Sequence, residues 1–218
     1  MSVLQGIILG FIQGIAEFLP VSSSGHLKLA QHLFGLKEVP LLFDVLLHLA
    51  TLCSVILFFR KKIWNLLCTF FRLITFRKIN SEDTVLAENE MKNRKMILAV
   101  ILATLVTGII GIFTSKLLDS DSVSIKLICA GFIITAVLLI TSAYVEKHIN
   151  SKTDVPSWIQ SLIIGFAQGI GTLPGISRSG SSIAGALYSK VDRVSAGEFS
   201  FIISIPAILG AFILEAKD

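Results

Sequence analysis

Charge is scarce in this chain: Asp, Glu, Lys and Arg together make up 16% of its 218 residues. Ordinary soluble domains carry about 25%, and here most of the charge falls between apolar stretches. Cysteine is scarce too. Cys53, Cys68 and Cys129 stand apart with no metal-type spacing, so they read as apolar packing residues rather than ligands. No basic stripe interleaved with aromatics occurs, which sets nucleic acid aside as a partner; the net charge of +4 belongs to loops. The alternating pattern of barrel strands is missing as well. What is present is 53% hydrophobic residues in long continuous runs, with a mean hydropathy of +0.80. That composition defines an all-α integral membrane protein that crosses the bilayer several times.

The first apolar stretch, Val3 to Leu19, has no Lys or Arg ahead of it and is interrupted by Gln13 and Glu17, so it does not read as a signal peptide. A spanning helix suits it poorly, because a carboxylate at mid-bilayer costs about 2.5–3.5 kcal/mol. Pro20 disfavours helix at Leu19, and after Ser22-Ser-Ser-Gly25 the next apolar piece, His26 to Phe34, is too short to cross. Residues 3–34 are therefore expected to form a re-entrant hairpin, which is tolerated only where protein or water shields the break.

Leu41 to Phe59 reads as the first full span, followed by an interfacial helix from Ile63 to Ile74 anchored by Trp64. Ser81 to Glu90 is polar and expected to be mobile. The stretch from Arg60 to Lys95 holds the strongest excess of Lys and Arg, including Arg77 and Lys78, and is assigned to the cytoplasm. Ile97–Ser115 and Leu127–Val145 read as spans joined by an external turn carrying Asp119 and Asp121. Glu146–Ser157 returns to the cytoplasm, residues 158–188 repeat the short–break–short pattern, and Phe199–Leu214 is a final span containing Pro206.

A repeat underlies this order. Shifted by 155 positions, Gly10, Phe11, Gln13, Gly14, Ile15, Ser22, Ser24 and Gly25 meet identical residues. The same shift sets Glu17 against Thr172, Ser23 against Arg178 and His26 against Ser181, so the copies bring different chemistry. Three spans separate the two breaks, an odd number, so the hairpins enter from opposite faces as in an inverted-topology repeat. The expectation is one membrane domain, 1–218, made of a first repeat over 1–145 and a shorter second one over 157–218. Its hairpins lie at 3–34 and 158–188, and their tips line one polar cavity.

Within the first break, Gln13 and Glu17 share a helix face, and Glu17 is expected to hold a metal ion or to orient His26. Ser22 and Ser24 serve equally well as helix caps or as phosphate donors. Ser23 is placed one turn before His26, and a hydroxyl beside an imidazole is the nucleophile–base pairing of covalent catalysis. His32 and His148 lie near interfaces and need no role; His48, inside a span, is open to a supporting one. In Pro174-Gly-Ile-Ser177-Arg178-Ser179-Gly180, glycine allows close backbone approach, serines donate hydrogen bonds, and Arg178 adds a planar fork suited to phosphate oxygens.

Taken together, Gln13…Glu17-Phe-Leu-Pro-Val-Ser-Ser-Ser-Gly-His26, Phe43-Asp44, Pro174-Gly-Ile-Ser-Arg-Ser-Gly180 and Glu198-Phe-Ser-Phe…Ile205-Pro206 closely resemble the undecaprenyl-diphosphate phosphatase family linked to bacitracin resistance. The resemblance implies a bacterial plasma-membrane enzyme that removes the terminal phosphate from a polyprenyl diphosphate. It also implies catalytic residues Glu17, Ser23, His26 and Arg178, with Ser22, Ser24, Gly25, Ser177, Ser179 and Gly180 around the phosphates. A diphosphate carries several negative charges, so a divalent cation, Mg²⁺ or Ca²⁺, is expected beside it, with Glu17 and the Gln13 carbonyl as ligands. Either Ser23 or His26 is the nucleophile, and the cavity opens to the external face. Members of that family continue for two more spans, so a second subunit, as in a homodimer, or further chain is expected to complete the second repeat. The competing expectation, drawn from the inverted repeats and broken helices, is a transporter that flips a phosphorylated lipid without hydrolysis.

Overall fold

The computed structural model describes residues 1–36, 39, 41–75, 84–117, 124–148 and 152–215. Among them the chain forms nine helices: α1 Val3–Phe18, α2 Ser23–Leu33, α3 Leu41–Phe58, α4 Arg60–Ile74, α5 Thr84–Leu117, α6 Ile125–Lys147, α7 Trp158–Ile170, α8 Arg178–Tyr188 and α9 Arg193–Glu215. Three of these, over Val85–Thr114, Ile125–Lys147 and Arg193–Ile213, are long and apolar enough to cross a membrane. Only 22% of the apolar window of α5, and the same share of α6, is buried within the protein, so the outward faces require lipid as solvent. The protein is polytopic and all-helical.

Sequence and structure agree on the first apolar helix and part company at two later places. The expected stretch Leu41 to Phe59 is α3, Leu41–Phe58, and the chain bends by 79° between Phe43–Phe58 and Arg60–Ile74. Beyond the bend lies α4, which covers the stretch from Ile63 to Ile74 expected to be helical and exposes Trp64 and Phe71 beside Arg60 and Lys61. The segment expected to be polar and mobile is helical from Thr84 onward, because α5 runs for 34 residues, roughly 50 Å at 1.5 Å per residue. Its first turns are held by ion pairs one turn apart, Glu88–Lys92 and Glu90–Arg94, and by Arg72 of α4 reaching Glu90 at 3.1 Å. Lastly, α9 begins at Arg193, earlier than the apolar run suggests, with Asp192 accepting from the amides of Val194 and Ser195. The expected Asp119–Asp121 turn, Arg77 and Lys78 lie outside the described residues.

The 155-residue repeat is written into local structure. The helices α2 and α8 correspond at both ends, and α1 and α7 each start from a capping box, Ser2 with Gln5 and Ser157 with Gln160. The ends of α2 and α8 match as well. Leu36 donates to the Gln31 carbonyl and Val191 to that of Ala186, while Gly35 and Lys190 take left-handed φ of 67° and 68°. One rule of sequence thus makes the same helix pair twice.

Close approach decides how the pieces meet. A Cβ on Gly165 of α7 would lie 2.5 Å from the Ala103 carbonyl oxygen of α5, and one on Gly131 of α6 would lie 2.5 Å from the Gly175 carbonyl carbon. In both cases the obstacle is backbone, which cannot swing aside. The main apolar core forms on this contact, from Met96, Ala99 and Ala103 of α5, Ile164 of α7, and Phe199, Ile202 and Ile203 of α9. Gly131→Ala is therefore expected to destabilise the fold by about 1–3 kcal/mol, seen as a lower thermal midpoint in detergent. Gly108→Ala on the same scale should be neutral or slightly stabilising, since open space surrounds Gly108. Equal midpoints for the two variants would remove the close-approach argument.

Candidate active site

The two helix breaks face each other, and the contacts are reciprocal. A Cβ on Gly25 would lie 3.1 Å from the Cα of Gly175, and one on Gly180 would lie 2.9 Å from the carbonyl oxygen of Pro20. Under the repeat, Gly25 corresponds to Gly180 and Pro20 to Gly175, so each break seats its glycine on the other's turn. Gly25 and Gly180 thus serve the packing of break on break, and neither lines the cavity beside them.

That cavity has a volume of about 270 Å³. Glu17, Ser22, Ser23 and Ser24 line it from the first break, and Thr172, Ser177, Arg178 and Ser179 from the second. Both α2 and α8 begin here, with Ser22 accepting from the Gly25 amide at 3.4 Å and Ser177 from the Gly180 amide at 3.0 Å. These serines cap their helices and line the cavity at once. Two helix N-termini pointing into one space favour an anion there. Apolar side chains of α3 and α9, among them Val45, Leu49, Ile208 and Phe212, close the remaining wall.

Glu17 is the hub. Its Oε1 accepts from the Arg178 guanidinium at 3.1 Å, and its Oε2 accepts from the Gln13 amide at 3.2 Å and from the Ser23 hydroxyl. Arg178 and Glu17 are one-fifth exposed or less, so the pair sits in a medium where charges interact strongly. It also joins the repeats: the acid comes from the first copy and the base from the second.

Two sequence expectations meet a different geometry. Among the described residues, Ser23 makes no hydrogen bond to His26. The His26 Nδ1–H donates instead to the Ser22 carbonyl at 2.8 Å, one helical turn back, and its ring packs on Phe132 at 4.8 Å between centroids. His26 is not among the cavity-lining residues. Gln13 likewise turns its amide nitrogen to Glu17, leaving its own carbonyl oxygen buried without a partner among the described residues. No group of three or more His, Cys, Asp or Glu side chains gathers among those residues.

The structure adds His48 of α3 and Thr172 to the cavity wall. A histidine inside an apolar run was the available signal for the first. For Thr172, its place opposite Glu17 in the repeat was the signal.

Fold and cavity together define a multi-pass helical membrane protein with an anion-suited polar site enclosed between two related helix breaks. Residues 6–218 match the bacitracin resistance protein BacA family, and the chain belongs to that family. It is 48% identical over 218 residues to an undecaprenyl-diphosphatase of Treponema denticola, covering 100% of this chain and 77% of the relative. Proteins of the same name from Alkaliphilus metalliredigens and Desulfatibacillum aliphaticivorans are 42% and 41% identical, covering 100% and 99% of this chain and 78% of each relative.

The Glu17–Arg178 pair yields a stability test. Arg178→Met leaves a mostly buried carboxylate without its partner and is expected to cost about 3–5 kcal/mol. Adding Glu17→Gln should recover much of that loss. Urea or thermal titration of the four proteins in one detergent measures the coupling, and additive losses would dissolve the pair as a structural link.

Proposed function

We propose that this chain hydrolyses undecaprenyl diphosphate to undecaprenyl phosphate and inorganic phosphate, returning the lipid carrier to cell-wall synthesis and thereby conferring bacitracin resistance. The observation that carries the reading is the Ser23 hydroxyl resting on the Glu17 carboxylate, beside an arginine brought from the other repeat. The relatives' shared name supports hydrolysis over the competing expectation of lipid flipping.

In this reading the Ser23 Oγ attacks the terminal phosphorus while its proton passes to Glu17. The Oγ–P bond forms, the bridging P–O bond breaks, and undecaprenyl phosphate departs. Water then cleaves the phosphoserine. Arg178 binds the equatorial oxygens, since phosphoryl transfer depends mainly on positioning and electrostatics. The helix N-termini of α2 and α8 add donors for the same oxygens. The apolar wall of α3 and α9 lets the polyprenyl chain stay among lipids. A divalent cation, Mg²⁺ or Ca²⁺, belongs to the proposal as a companion of the diphosphate, whose charge exceeds what one arginine offsets.

Release of inorganic phosphate from undecaprenyl diphosphate by the purified protein is the deciding assay. Arg178→Ala is expected to slow it by about 1000-fold, Ser23→Ala and Glu17→Gln to slow it strongly, and exhaustive chelation to stop it. Full rates in Ser23→Ala would remove the serine route, and turnover after chelation would remove the cation.

The same proposal includes sidedness. The two helix pairs are re-entrant hairpins of an inverted-topology repeat in the bacterial plasma membrane, and the cavity opens to the external face. The basic residues of α4 and the start of α5 support a cytoplasmic position for that end of α3. On a background without Cys53, Cys68 and Cys129, an impermeant thiol reagent added outside is expected to label Ser24→Cys and to spare Lys61→Cys. The reverse pattern would invert the topology.

A further inference from the structure

We propose that His48 is a catalytic residue of the diphosphatase, the base that activates the water releasing phosphate from Ser23. The inference rests on the diphosphatase reading and adds to it the base for its second step.

The need arises from proton accounting. In the first step Glu17 takes the Ser23 proton, so it holds a proton when the phosphoserine must be cleaved. It can return that proton to the departing Ser23 oxygen, but it cannot at the same time accept one from water. A second acceptor is therefore required within the same cavity. Arg178 is permanently protonated, and Gln13 has no basic atom. His26 presses its ring against Phe132 outside the cavity lining. Among the described cavity-lining residues, His48 is the remaining side chain with a titratable nitrogen.

Its local bonding prepares it for that role. The Nδ1–H of His48 donates to the carbonyl of Asp44, one turn earlier in α3, at 2.8 Å. A carbonyl only accepts, so the proton of the neutral ring sits on Nδ1 and Nε2 carries the lone pair. The Asp44 carboxylate in turn accepts from the Gln31 amide of α2 at 2.9 Å. The helix bearing His48 is thus tied to the helix whose first residue is Ser23.

Origin on a separate helix also fits the stereochemistry. In-line displacement brings water to the phosphorus from the side opposite the Ser23 oxygen. A base on α3 enters the cavity from a different element than Ser23, whereas His26 follows Ser23 on the same helix by three residues. The step balances: a water O–H bond breaks and its proton goes to Nε2. The water oxygen bonds phosphorus, the P–Oγ bond breaks, and Oγ recovers its proton from Glu17. His48 then loses its proton to solvent as phosphate leaves.

The test separates the two half-reactions. Wild type, His48→Ala, His48→Gln and His26→Ala, each purified and monodisperse, are mixed with undecaprenyl diphosphate labelled in its terminal phosphate. Both His48 variants are expected to release one equivalent of undecaprenyl phosphate promptly, then to liberate inorganic phosphate about 100-fold more slowly than wild type. The label should remain on the protein, map to Ser23, and be released faster when imidazole is added to His48→Ala. His26→Ala should not accumulate it. Wild-type rates in both His48 variants, or accumulation only in His26→Ala, would overturn the inference while leaving the diphosphatase intact. A wild-type protein inert towards the lipid would instead overturn the diphosphatase reading, and this inference with it.

Discussion

The ion pair between Glu17 and Arg178 is the constraint on which the rest of this structure depends. A carboxylate and a guanidinium leave water at large cost unless they meet in good geometry and their remaining donors and acceptors are used. Here both carboxylate oxygens are occupied, one by Arg178 and the other by Gln13 and Ser23. That arrangement demands that α1 and the start of α8, 161 residues apart in the chain, end at the same point. The chain is bent to satisfy it. Helix breaks at Pro20 and Pro174 bring polar backbone inward, and small residues let the two breaks touch.

The pair draws its two members from different repeats. The first copy brings an acid and a hydroxyl; the second brings the arginine, with Thr172 where the first has Glu17. Similar local folds, capped at the same offsets, carry different side chains into the shared space, Glu17 and Ser23 in one copy and Thr172 and Arg178 in the other. Divergence of that kind is cheap, because the caps, the C-terminal turns and the glycine contacts carry the geometry and are left untouched.

Much of this was legible in the chain. The 155-residue echo located both breaks, apolar run lengths located α5, α6 and α7, and Arg178 inside a Gly/Ser break marked an anion site. Boundaries governed by electrostatics were harder. Nothing apolar marks the start of α5, whose first turns hold through Glu88, Glu90, Lys92, Arg94 and a distant Arg72. Side-chain direction was harder still. Helical spacing set His26 one turn from Ser23, but spacing cannot reveal that the Ser22 carbonyl captures the ring or that Phe132 of α6 receives it. His48 came into the cavity through tertiary packing of α3, which local pattern does not encode. The contacts of Gly25 and Gly180 with backbone of the other repeat are likewise tertiary and carry no local signal.

The reciprocal seating of the two breaks has a consequence in time. A ribosome adding about 5–20 residues per second needs roughly 10–30 s to pass from the first break to its counterpart. Throughout that interval Glu17, Ser23 and the capped start of α2 exist without the arginine and the turn that receive them. The first helix pair must therefore form while its carboxylate can still be hydrated, since an unpaired charge is costly out of water. Burial of the site is then a late event in the biogenesis of this protein, completed only as α8 arrives and slides its glycine onto Pro20.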